Sequence, residues 1–167
     1  MEYHLIHKDS IDSVLDRARQ YRSLLEADLA ISICLDIFAI DAKNQEALVI
    51  YILALSDTLS HARTGSHNPD KKILDAIKQL QSDYQQNYYQ GIFYERKARS
   101  LMLNTMSRSF AYNLLIQALE CYQQAENLSI AGNDDAILRH NACLRTIENE
   151  HLQPRQDADD VDWNLES

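Results

Sequence analysis

The sequence predicts an all-α fold built from helical hairpins, and three observations carry that prediction. Only three Gly and two Pro occur in 167 residues, whereas the tight turns of a sandwich or barrel depend on both. Apolar residues recur at helical rather than alternating spacing almost throughout. Small and aromatic residues also return in a recurring order. One set is Ala18, Tyr21, Ala30, Cys34, Ile37 and Ala42; the other is Gly91, Tyr94, Ala118, Tyr122, Ala125 and Ile130. Small residues at such points let the two helices of a hairpin approach closely, and the larger ones fill the gaps between them.

A first helix is expected over 11–24, with Ser10 as N-cap and Asp12 in the first turn, where the macrodipole favours an acid. Ile11, Val14, Leu15, Ala18, Tyr21 and Leu25 form its apolar stripe. A break near Glu26 leads to a second helix over 27–40, and "DAKN" separates that from a third over 45–61. The uninterrupted apolar run 47–55 also fits a buried strand. Its length and helix-favouring flanks assign it to a helix buried on several faces.

The stretch "RTGSHNPD" reads as a loop, punctuated by Gly65 and Pro69. A fourth helix over 70–86 carries Ile73, Leu74, Ile77, Leu80 and Tyr84, and a fifth over 87–104 follows with no strong stop between them. "NTMSRS" breaks the chain before a sixth helix over 109–128. Gly132 is its stop signal, and Asn133 is the expected cap of a seventh helix. That helix has Asp134 and Asp135 in its first turn, Ile137, Leu144 and Ile147 as its stripe, and Pro154 beyond its end. The organisation is therefore one helical domain, 1–150, followed by an acidic tail, 151–167, too poor in apolar residues to fold by itself.

The formal net charge is −9. An acidic chain without a basic stripe is a poor partner for nucleic acid or for an anionic membrane surface. The run 47–55 is too short to span a bilayer, and "MEYHLIHKDS" lacks the basic start and apolar segment of a signal peptide. Cys34, Cys121 and Cys143 form no C-x-x-C pair. They read as buried, reduced thiols of a cytoplasmic protein.

Chemistry-bearing motifs are few. His4 with His7, and His61 with His67 near Asp57, lack a third ligand converging with them, so no metal site is expected. Cys121 or Cys143 with His140 would make a nucleophile pair, but Cys121 falls on a core stripe, where a thiol is inert. Asp134, Asp135, Arg139 and Asn141 could form a polar site, and a small enzyme using them is one reading of the chain. Asp135 and Arg139 also make an ordinary i,i+4 surface pair. No phosphate-binding loop, dinucleotide fingerprint, nucleophile elbow or zinc-protease motif occurs. The expectation is a non-enzyme without a cofactor.

Ala18, Tyr21, Ala30, Cys34, Ile37, Asp41 and Ala42, with Gly91, Tyr94, Ala118, Tyr122 and Ala125, resemble the tetratricopeptide repeat family, whose repeat is about 34 residues. The first unit fits that length. The second is degenerate, matching at Ala76 and Leu80 with a loop inserted, and the third is longer by about two turns per helix. The likeness covers about 11–150. It implies an α-solenoid of three hairpins closed by a capping helix, with a concave groove lined by the first helix of each pair. The implied ligand is a peptide or helix of a protein partner, which makes the chain an adaptor, scaffold or co-chaperone. The implied groove positions include Arg19, Arg22, Asp57, Tyr88, Glu95 and Arg96.

Members that grip the carboxylate end of chaperone tails use Lys and Asn at these places. Leu15 and Arg19 stand in the first such pair, so that activity is not implied. The segment "GNDDAILRHNACLR" looks like the end of small bacterial repeat proteins and implies no chemistry. A permanent structural subunit of a larger assembly is the alternative reading of the same helices. In the tail, Val161, Trp163 and Leu165 alternate as potential recognition anchors among acids that would steer them to a basic surface. That surface would belong to a partner or to the chain's own groove at Arg19, Arg22 and Arg96.

Overall fold

The structure is a computed structural model that describes residues 2–60, 68–105 and 107–154. The described residues form seven α-helices and no strand: α1 Ile11–Ser23, α2 Ala27–Phe38, α3 Gln45–Asp57, α4 Asp70–Ile77, α5 Asp83–Met102, α6 Ala111–Asn127 and α7 Asp135–Asn149. Short 3-10 turns lead into α1, close α3 and lead into α6. Each helix packs on the next, and α1 also touches α3, as α3 touches α5.

The core follows that order as three linked clusters. Leu15, Ala18, Cys34, Ile37, Ala47 and Ile50 join α1, α2 and α3. Leu48, Ile52, Leu55, Ile73, Ile77 and Phe93 join α3, α4 and α5. Ile92, Ala98, Leu115, Ala118, Tyr122 and Cys143 join α5, α6 and α7. Helices α3 and α5 each serve two clusters, which is why the run 47–55 is apolar on nearly every side.

Several boundaries differ from the sequence expectation. The expected helix over 70–86 stops at Ile77, and α5 begins at Asp83 rather than residue 87. Two contacts fix the break. The Gln45 amide, from the start of α3, accepts the Gln81 N–H at 2.8 Å. The Ser82 hydroxyl accepts the Gln85 N–H at 3.3 Å and caps α5. Leu80 remains buried, but in the turn.

The Ser10 side chain caps nothing, because the preceding 3-10 turn holds its backbone in a helical conformation. Asn44 does cap α3, accepting the Ala47 N–H at 3.0 Å. Asn133 accepts the Asp135 N–H at 3.2 Å at the start of α7, and Gly132 before it has φ 89°.

Leu25, expected in the stripe of α1, is instead 92% exposed. It sits just past the helix end at φ 64°, and its left-handed turn throws the side chain outward. In α7 the buried face is Ala136 and Cys143 with the half-buried Ile147, whereas Leu144 is 40% exposed. The histidines His61 and His67, Gly65, and the tail positions Val161, Trp163 and Leu165 lie outside the described residues.

Candidate functional site

Ion pairs between residues distant in sequence link α1, α3 and α5. Asp57 closes α3, Arg22 lies in the last turn of α1, and Arg96 is within α5. Arg22 donates from Nε to Asp57 Oδ2 at 2.7 Å and from Nη2 to Oδ1 at 3.4 Å. Arg96 pairs with the same Asp57 carboxylate and donates to the Leu53 carbonyl at 3.0 Å. One carboxylate thus faces two guanidinium groups and joins α1, α3 and α5. Burial draws the Arg96 guanidinium below its usual pKa; Asp57 opposes that, while Arg22 and Arg139 add to it as like charges.

Glu95 lies beside this triad but beneath the surface, 1% exposed. It was expected to line a groove; in the structure its carboxylate serves contacts inside the protein. Oε2 accepts the Tyr122 hydroxyl at 2.7 Å, and Oε1 pairs with Arg99 at 2.8 Å and with Arg139 at 3.4 Å. A carboxylate this deep requires such partners, because an unpaired buried charge costs several kcal/mol, about 3–5 on loss of one partner. The Tyr122 phenol is pushed well above its usual pKa by burial and by Glu95. Burial draws Arg139 down, but Glu95, Tyr88 and Tyr122 outweigh it and the net shift is upward.

Tyrosines line the start of α5. Tyr88 stacks on Tyr84 with centroids 5.7 Å apart, meets Tyr89 edge-on at 5.3 Å and leans on Tyr122 at 5.9 Å. Burial pushes Tyr89 up to about 12. The Tyr84 hydroxyl is buried with no completed hydrogen bond, although Asn133 stands close to it. Arg19 belongs to a separate, more exposed group, donating to Asp16 at 2.8 Å and pairing with Glu46.

Of the residues predicted from sequence, Arg22, Asp57 and Arg96 come together directly. Tyr88 and Glu95 meet instead at Arg139, in a second group next to the triad, and Arg19 stays apart. The sequence groups Arg139 with Asp134, Asp135 and Asn141. The structure instead pairs it with Glu95, while Asp134 and Asp135 are exposed. The signal for this pairing is the setting of Glu95: an acid flanked by Ile92 and Ala98 on the buried face of α5 needs a cation from a neighbouring helix.

The other candidate groups do not assemble in the same way. Cys34 and Cys143 are buried and Cys121 is half-buried. Burial pushes the thiols of Cys34 and Cys143 up to about 12 and that of Cys121 to about 11, away from the reactive thiolate. Among the described residues no group of three or more His, Cys, Asp or Glu could hold a metal ion. No helix of those residues is long and apolar enough to cross a membrane.

The arginine and tyrosine arrangement can donate several N–H groups to carboxylates or carbonyls beside an aromatic surface. No family model, curated protein or solved structure matches the chain.

Proposed function

We propose that the chain is a helical-repeat interaction module, similar to tetratricopeptide repeats, that binds a peptide or helix of a protein partner along the face made by α1, α3 and α5. The observation that carries this reading is the Arg22–Asp57–Arg96 triad, which aligns side chains from all three helices on one side. The contacts of α1 with α3 and of α3 with α5 support a reading in which successive repeats stack through their first helices. Helix α7, packed on α6, serves as the closing cap. The role is that of an adaptor, scaffold or co-chaperone in the cytoplasm, without cofactor or catalysis.

Affinity purification of the full chain from native cells, with mass spectrometry of what accompanies it, tests the reading. A partner retained by the wild type and lost with Arg22→Glu supports it. A partner retained equally by Arg22→Glu and Tyr88→Ala overturns the assignment of the face.

A further inference from the structure

We propose that the arginine row formed by Arg22, Arg96 and Arg139 holds an acidic segment, and that its occupant in the free protein is residues 155–167 of the same chain. The inference deepens the reading above and rests on it. The row is locally cationic in a chain of net charge −9. Arg22, Arg96, Arg99 and Arg139 face Asp57 and Glu95, with Asp135 one turn before Arg139 as a further acid. Glu95 is buried and holds Arg99 and Arg139 from beneath, so its carboxylate occupies no place on their solvent side. Each guanidinium carries five N–H donors, and among the described residues the contacts to Asp57, Glu95, Tyr88 and the Leu53 carbonyl use part of that capacity. The mutual repulsion of Arg22, Arg96 and Arg139 is relieved by a further carboxylate.

The chemistry and reach of residues 155–167 match this row. They carry Asp157, Asp159, Asp160, Asp162 and Glu166 against Arg155, and they hold Trp163, the single tryptophan. The buried Leu152 and the Arg108–Glu150 ion pair fix where the chain leaves α7, beside the start of α6. From there back to Arg139 the helix rises about 20 Å. An extended chain from residue 153 to Trp163 spans roughly 35 Å, so the acids reach Arg139 and the residues beyond it. The stacked Tyr84 and Tyr88 beside Arg139 offer an aromatic edge to Trp163. A short tether supplies an effective concentration on the order of 1 mM, so individually weak charge contacts are enough.

Trp163 emission in the full chain reads the contact directly. Acrylamide quenching is expected to be weaker at low ionic strength than in about 1 M salt, where such attraction is screened. Arg139→Gln should raise low-salt quenching to the high-salt value while circular dichroism stays unchanged. A second variant with Asp157, Asp159, Asp160 and Asp162 changed to Asn leaves every described residue intact and should do the same. A synthetic peptide of residues 155–167 should bind that second variant, and about tenfold more weakly once Arg139→Gln is added. Exposed, salt-independent Trp163 emission in the wild-type chain overturns the inference. An unrelated acidic peptide then separates the two claims. Binding that Arg139→Gln weakens leaves the ligand face standing; no binding removes the face as well.

Discussion

Gly91 shows how one residue's size is set by its neighbour. A Cβ at Gly91 would lie 2.6 Å from Tyr122 Cε1 and 2.8 Å from Cδ1. The ring cannot swing aside freely, because its hydroxyl is held by Glu95. Alanine gains about 1 kcal/mol of helix propensity over glycine, whereas overpacking a filled core costs about 1–3 kcal/mol. Gly91→Ala is therefore expected to lower the denaturation midpoint. In a Tyr122→Leu background the same change should raise it, since propensity then acts alone. A midpoint that falls equally in both backgrounds would show that Tyr122 is not the obstacle.

Leu25 is the opposite case. Its φ of 64° closes α1 by letting the Glu26 N–H reach the Tyr21 carbonyl at 3.0 Å. A side chain in that conformation costs about 1–2 kcal/mol, and the exposed Leu25 recovers little by packing. Leu25→Gly should stabilise by roughly 0.5–1 kcal/mol after the glycine entropy is counted; thermal unfolding decides it.

At the scale of elements, the break between α4 and α5 depends on caps. Ser82 followed by Gln85 is the sequence signature of a helix start, and it was legible in a stretch expected to be continuous helix. The Gln45 contact to Gln81 was not, because it comes from another element. Ser82→Ala is expected to cost about 1 kcal/mol, measured as a shift in the denaturant midpoint.

The small residues were more readily legible. Ala30 and Ala118 are both 0% exposed, as close helix approach requires. Ala30→Leu should cost about 1–3 kcal/mol by overpacking, and an unchanged midpoint would place that crossing elsewhere.

For the molecule as a whole, titration and salt report on the core and the polar row separately. Cys34 and Cys143 rise by burial from 9.0 to about 12, and Tyr89 from 10.0 to about 12. A group whose folded pKa is raised contributes stability that is fully present below its unfolded pKa and lost as pH approaches the folded value. Stability should therefore hold up to about pH 9 and fall steadily towards pH 12. Cys34→Ala should flatten the fall at its onset, which thermal midpoints across that range would show. Asp57→Ala leaves Arg22 and Arg96 facing each other and should destabilise by about 1–2 kcal/mol. Added salt should recover part of that loss by screening the pair.

Helix content, helix order and the close-packed small residues were determined by the sequence alone, because each depends on spacing within one helix or its hairpin. Arg22, Asp57, Arg96 and Tyr88 were expected to share a groove only as the resemblance to tetratricopeptide repeats implies. Which of them meet was decided only by the tertiary structure. Arg22 and Asp57 are 35 residues apart, and Glu95 and Arg139 are 44 apart. Helical period selects a face but not the neighbour it meets, and a long guanidinium side chain takes whichever carboxylate the packing leaves nearest. That is why Arg139 turned from Asp135, on its own helix, to the buried Glu95 of α5.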